Sequence, residues 1–159
     1  MSTAQPIPTG YPRVMPHLSI EGAAGALEFY KGVLGATERM RMALPDGTVA
    51  HAEIQLGESV IMIGDANLPT DTDPSPQALG GSPVALFVYL EDVDKAYERA
   101  IEEGAASVSK PADHFYGDRV ATIDDPYGHR WNLATHVEDV PPDEMDHRAA
   151  AAMSGGEEA

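Results

Sequence analysis

The side chains of this sequence best suited to chemistry are three histidines and one glutamate, namely His17, His51, Glu53 and His136. Imidazole and carboxylate groups bind zinc or nickel, and without a metal the same groups can act as a general base and a general acid. Side chains at i and i+2 of one strand stand about 7 Å apart, so we do not expect His51 and Glu53 to bind one ion together. The alternative is that these two residues hydrogen-bond across strands or meet solvent. The candidate catalytic residues are therefore His17, Glu53 and His136.

Aromatic and polar side chains in the second half of the chain suit binding better than chemistry. Aromatic rings provide apolar walls and stacking faces, while guanidinium and amide groups recognise polar ligands. For Phe87 a place in the core is an equal alternative, and Trp131 is expected in the core. Asp118 and Arg119 face opposite sides of one strand, which favours structural ion pairs with other strands over catalysis. The binding candidates in this half are Phe87, Tyr89, Phe115, Tyr116, Arg130 and Asn132.

Charge and composition restrict the classes of partner. The formal charge of −16 argues against nucleic acid and anionic membranes, because both require a basic surface, and it favours a neutral or cationic small molecule. The absence of cysteine excludes disulfides, a thiolate nucleophile and cysteine-bound zinc. No basic start precedes an apolar run, and no segment has the roughly 18 apolar residues that a membrane helix needs. We therefore expect a cytoplasmic protein.

The elements that must position these side chains occur twice in the same order. An alternating strand at 13–20 is followed by a helix whose apolar stripe ends at Gly35, and then by three strands. A segment rich in Pro, Gly and Asp follows, and the same order then recurs. Gly35 and Gly104, which end the helices, lie roughly 70 residues apart, as do the turn residues Gly57 and Gly128. The pattern predicts a flexible N-terminus at 1–12, a first βαβββ module at 13–64, a linker at 65–83, a second module at 84–138, and a C-terminal helix with a disordered tail at 139–159.

Three stretches of the chain carry a resemblance to a known family. Phe29-Tyr30 followed by Leu34-Gly35-Ala36 resembles the first helix of vicinal-oxygen-chelate proteins, the glyoxalase/bleomycin-resistance/dioxygenase superfamily. The stretches 75–94 and 115–140 resemble its PhnB-like branch. The resemblance implies an α+β fold in which two modules form curved mixed sheets that enclose a ligand cleft. It also implies a homodimer.

Four positions decide whether the metal chemistry of this family is inherited. Alignment with the metal-dependent members, which the resemblance makes possible, places Met15, Met62, Ala85 and Asn132 where those members have histidine, glutamine or glutamate ligands. Thioethers favour soft metals, alanine offers no donor, and a single amide oxygen is a weak ligand. Shifting the alignment by one residue places no better metal ligands at these positions. We therefore predict that the family's metal site is absent.

The first hypothesis for function is a metal-independent small-molecule-binding protein of the glyoxalase/bleomycin-resistance type, which sequesters an aromatic or cationic compound. Its ligand-binding residues would include Met15, His17, His51, Glu53, Met62 and His136 besides the aromatic and polar candidates named above. The alternative is a metal-dependent lyase, isomerase or dioxygenase that uses these histidines to bind zinc, nickel or iron. A third possibility is a structural or regulatory domain without a ligand.

Overall fold

Two four-stranded mixed sheets make up the fold of this computed structural model, which describes residues 4–69 and 73–154. The chain divides between Ser82 and Pro83 into two compact units. The first unit contains β1 (His17–Ile20), α1 (Ala23–Leu34), β2 (Thr37–Ala43), β3 (Val49–Leu56), β4 (Ser59–Asp65) and α2 (Pro76–Leu79). The second contains β5 (Ala85–Tyr89), α3 (Val93–Glu102), β6 (Ala106–Asp113), β7 (Asp118–Asp124), β8 (Arg130–His136) and α4 (Pro142–Ser154).

The two units repeat one topology. The strand order is β1-β4-β3-β2 in the first sheet and β5-β8-β7-β6 in the second. The first strand of each unit pairs in parallel with its fourth, and the other neighbours are antiparallel. This confirms the predicted α+β class with two βαβββ modules.

One face of the first sheet packs against helix α1. The helix buries Leu27 and Tyr30 completely, and β3 buries Ala52 and Ile54. Because side chains alternate along a strand, His51 and Glu53 lie on the opposite face of the sheet. The core of this unit therefore directs the chemically capable side chains of β3 away from the helix.

The last strand of each unit fixes the start of that unit's helix. Helix α1 begins after Gly22, which has no side chain to cap it, and the Asp65 carboxylate on β4 accepts hydrogen bonds from the Gly22 and Ala23 amides at 3.1 and 2.9 Å. In the second unit the Thr135 hydroxyl on β8 accepts from the Val93 amide at 2.9 Å. Free N–H groups at a helix start require such acceptors, so the same solution occurs in both modules.

The first strand is shorter than the sequence predicts. The strand predicted at 13–20 begins only at His17, because Pro16 has no N–H for a sheet hydrogen bond. Met15 therefore precedes the strand. Within the N-terminus predicted as flexible, Tyr11 contacts Glu53 and Arg39, and the flexibility of this segment stays a prediction.

The predicted linker and the predicted C-terminal segment each contain a helix. The predicted linker contains the short helix α2, whose N-cap Ser75 donates a 2.5 Å hydrogen bond to the Glu21 carboxylate. The predicted C-terminal helix is present as α4, and the tail beyond residue 154 lies outside the described residues. Across the described ranges, no helix is long and apolar enough to cross a membrane.

Candidate functional site

A cavity of about 430 Å³ lies in the first unit between the N-terminal segment (residues 4–16) and strands β3 and β4. Its volume is in the range of small-molecule sites in proteins, about 300–1,000 Å³. Seven of the nine lining residues belong to the N-terminal segment. The lining residues are Pro6, Ile7, Pro8, Tyr11, Pro12, Arg13, Met15, Glu53 and Met62.

The buried charge of this cavity is the Glu53 carboxylate, which is only 5% exposed. The Tyr11 hydroxyl lies 3.1 and 3.0 Å from its two oxygens and donates to them. His51 Nε2 lies 3.4 Å from Oε1, and Arg39 Nε lies 3.8 Å from Oε2. A buried carboxylate is costly without such partners, so these contacts make the position of Glu53 tenable.

Arg39 reaches this cluster because strand β2 is irregular at that point. The pairing of β2 with β3 shifts between Glu38 and Met40, which leaves Arg39 as an extra residue. Its guanidinium lies 4.5 Å from the centre of the Tyr11 ring, and Nη2 donates to the Gly10 carbonyl at 3.3 Å. The hydrogen bond to Glu53 raises the pKa of the Tyr11 hydroxyl, with burial and the carboxylate charge adding to the effect. Tyr11 is thus held at both its ring and its hydroxyl.

The structure brings together all five candidate residues of the first unit. Met62 is the register partner of both His17 and Glu53, so these side chains share one sheet face. The His17 and His51 rings stack with their centres 6.2 Å apart, and Met15 lines the cavity beside Met62. His51 and Glu53 hydrogen-bond each other within β3 rather than across strands, and that they do not bind one ion together stays a prediction. Both side chains are long enough to lean along the strand and close the gap to 3.4 Å.

His136 lies in the second unit and has its own acidic partners. Nδ1 is 2.8 Å from the buried Asp118 carboxylate, and Nε2 is 2.9 Å from Asp139. The Tyr89 hydroxyl donates to the other Asp118 oxygen at 2.7 Å. The hydrogen bonds to Asp118 and Asp139 raise the pKa of His136. Burial raises the pKa of Asp118, but the hydrogen bonds from His136 and Tyr89 outweigh burial and lower it overall.

The aromatic candidates of the second unit form two pairs. Phe87 is 50% exposed and Tyr89 is 61% exposed, so Phe87 is not a core residue, and their ring centres lie 5.3 Å apart. Phe115 and Tyr116 meet edge to face at 5.2 Å. Trp131 is buried, as predicted.

The polar candidates of the second unit are engaged by neighbouring strands. Arg130 forms hydrogen bonds of 2.8 and 2.9 Å with Asp124, and Asn132 Oδ1 accepts from the Thr122 hydroxyl at 2.8 Å. Arg119 pairs with Asp94 on α3 and with Asp113 on β6, which confirms its expected structural role. Its neighbour Asp118 instead bonds Tyr89 and His136.

The residues at the inherited ligand positions do not fit a hard or borderline divalent metal. Met15 and Met62 present thioethers to the cavity, Ala85 has no donor, and the amide oxygen of Asn132 is already bonded to Thr122. Among residues 4–69 and 73–154, no group of three or more His, Cys, Asp or Glu side chains is arranged to hold a metal ion. That the protein works without a metal stays a prediction.

Three polar residues of this site were not among the sequence candidates, namely Tyr11 and Arg13 in the cavity lining and Arg39, which contacts Glu53. Tyr11 lies in a Pro-rich stretch that has no periodicity, Arg13 starts the alternating segment that was predicted as the first strand, and Arg39 reaches Glu53 only because of the β2 irregularity. The only sequence signal for a role of Tyr11 and Arg13 is that they stand between prolines in a segment long enough to cross a sheet.

Comparison with known proteins places this geometry in a family. The family model described as Glyoxalase/Bleomycin resistance protein/Dioxygenase superfamily matches residues 15–133. An uncharacterized protein of Mycobacterium tuberculosis (strain ATCC 25618 / H37Rv) is 35% identical over 145 residues, covering 90% of this chain and 83% of that protein. TioX from Micromonospora sp. ML1 is 22% identical with a TM-score of 0.62, over 79% of this chain and 99% of TioX. The PhnB protein from Bacillus cereus is 19% identical with a TM-score of 0.60, over 78% and 99%. The chain belongs to the glyoxalase/bleomycin resistance protein/dioxygenase superfamily.

Proposed function

We propose that this chain is a metal-independent small-molecule-binding protein of the PhnB-like branch of this superfamily, and that its ligand occupies the first-unit cavity. The observation that carries the proposal is the buried Glu53 carboxylate in a cavity otherwise walled largely by Pro, Ile and Met side chains. Ligand sites commonly combine apolar walls with a few fixed polar groups. The Met15 and Met62 thioethers add adaptable contacts for an aromatic body.

Glu53 is the group that would select a cationic or hydrogen-bond-donating ligand. A carboxylate has about four acceptor directions, and the contacts from Tyr11 and His51 leave capacity for another donor. The Arg39 contact of 3.8 Å is too long for a strong hydrogen bond. The formal charge of −16 also raises the local concentration of cations. We therefore propose an aromatic or cationic ligand.

A fluorescence titration tests this proposal with thioflavin T, an aromatic cation that fluoresces when immobilised. Wild-type protein is compared with Glu53→Gln and with the control Glu58→Gln, which removes the same charge from an exposed turn residue. We expect Glu53→Gln to weaken binding about tenfold and Glu58→Gln to leave it within about twofold. Equal weakening by both variants would show that the dye responds only to net charge and would contradict the proposal.

A metal-dependent lyase, isomerase or dioxygenase is the second candidate function. It is favoured by the stacked rings of His17 and His51 and by the 3.4 Å contact of His51 with Glu53, which gather imidazole and carboxylate donors on one sheet face. The test is uptake of zinc, nickel or iron by wild-type protein and by His17→Ala and His51→Ala. This candidate requires both variants to lose metal. Wild-type metal content in both would exclude it.

We also propose that the functional form is a homodimer, as the family resemblance implies. Light scattering after size exclusion should give twice the chain mass of 16.9 kDa. A single chain mass across the concentration range would contradict this part of the proposal.

A further inference from the structure

Arg13 stands out among the basic residues of this acidic chain. The sequence has 10 Lys and Arg residues against 26 Asp and Glu residues, so most basic side chains are expected to find an acidic partner. Within the part of the chain that the structure describes, Arg13 and Lys110 are the two that form no ion pair. The other eight, Lys31, Arg39, Arg41, Lys95, Arg99, Arg119, Arg130 and Arg148, each pair with a carboxylate.

Arg13, whose charge is unpaired among the described residues, lies at the cavity. Arg13 is exposed, yet it lines the cavity together with its neighbours Pro12 and Met15. Lys110 lies on β6 of the second unit, outside the cavity lining. A guanidinium presents a planar set of donors that matches a carboxylate or another oxyanion. Among the described residues, no protein carboxylate forms an ion pair with the Arg13 guanidinium.

The cavity lining therefore contains one group of each charge together with apolar side chains. Glu53 is buried on the sheet side, Arg13 is exposed on the N-terminal segment, and Ile7, Met15 and Met62 contribute apolar surface. We infer that the ligand is a zwitterion with an apolar body, whose ammonium group pairs with Glu53 and whose carboxylate pairs with Arg13. This inference rests on the proposed function and narrows its ligand class to compounds resembling an apolar amino acid.

Three probes that share one phenyl-ethyl skeleton separate the two charged contacts. L-phenylalanine carries both charges, phenethylamine carries only the ammonium group, and 3-phenylpropanoate carries only the carboxylate. Their binding is measured by calorimetry or by NMR on wild-type protein, on Arg13→Gln and on the control Lys110→Gln. Arg13→Gln changes an exposed side chain, so it should not disturb folding.

We expect wild-type protein to bind L-phenylalanine most tightly. Arg13→Gln should weaken L-phenylalanine about tenfold, to the level of phenethylamine, and should leave phenethylamine itself within about twofold. Lys110→Gln should change neither affinity.

Different results would overturn the zwitterion inference and the proposed function. If phenethylamine binds as tightly as L-phenylalanine, or if Arg13→Gln leaves L-phenylalanine unchanged, the zwitterion inference is overturned while the proposed function stands. If none of the three probes binds but thioflavin T does, the zwitterion inference is again overturned and the proposed function stands. If thioflavin T also fails to bind, both are overturned.

Discussion

The Tyr11 hydroxyl lies 3.0 and 3.1 Å from the two carboxylate oxygens of Glu53, a residue 42 positions further along the chain. This contact joins the N-terminal segment to the centre of the first sheet. Arg39 also holds Tyr11, since its guanidinium lies over the Tyr11 ring and donates a hydrogen bond to the Gly10 carbonyl. The cavity lies beneath the segment that these bonds hold in place.

Tyr11→Phe should loosen the N-terminal segment without unfolding the unit. The variant removes the hydroxyl that bonds Glu53 but keeps the ring against Arg39. We expect the amides of Ile7, Thr9, Gly10, Tyr11 and Arg13 to exchange with solvent roughly fivefold faster, as measured by hydrogen exchange. Tyr97→Phe is the control, because it removes a comparable hydroxyl bond to Ser107 in the other unit. Unchanged exchange in Tyr11→Phe would show that the segment is held by other contacts.

The sequence reveals the parts of the site that local patterns encode, and it does not reveal the parts that depend on long-range contacts. His17, His51, Glu53 and Met62 share one face because strand alternation is local, and the sequence shows it directly. Tyr11 and Arg39 meet Glu53 through a Pro-rich crossing and a strand irregularity, neither of which has a periodic signature. The contact of His51 with Glu53 depends on how the side chains lean, which residue spacing alone does not fix.

Asp65→Ala should destabilise the first unit by removing the cap of helix α1. The Asp65 carboxylate accepts from the Gly22 and Ala23 amides and, through its other oxygen, from the Val49 amide at 2.6 Å. Loss of these charged hydrogen bonds should cost about 2 kcal/mol in the free energy of unfolding, as measured by urea denaturation. Asp46→Ala removes a carboxylate whose hydrogen bonds are local, to the amide and the side chain of Thr48, and should cost much less. Equal losses in the two variants would contradict the capping role.

The pKa of His136 should lie above about 6.5, the usual value for histidine. Its hydrogen bonds to Asp118 and Asp139 raise this pKa, and an NMR titration of the imidazole protons measures it. Because the pKa is raised on folding, these contacts stabilise the protein fully below about pH 6.5, and the stabilisation is lost as the pH rises through the pKa of folded His136. Asp118→Asn should lower the pKa of His136 more than Asp139→Asn does. A pKa that is insensitive to Asp118→Asn would refute the role of this pair.

The fold itself was largely predictable because the signals for it are local and occur twice. Gly35 adopts the left-handed conformation that ends α1, at φ 69°, and Asp92 caps α3 through the Lys95 amide. Alternation predicts the first strand from Arg13, but the strand begins at His17, since Pro16 has no N–H and contributes only its carbonyl, which accepts from the Met62 amide at 2.9 Å. Helix α2 depends on Ser75 and its bond to Glu21, a long-range contact that the composition of 65–83 does not reveal.

The first-unit cavity is proposed to bind its ligand without a metal. The most direct measurement is the metal content of chelator-dialysed protein, with the thioflavin T affinity determined on the same sample. We predict far less than one zinc, nickel or iron per chain and an affinity that dialysis leaves unchanged. About one such ion per chain, whose removal abolishes binding, would contradict the claim.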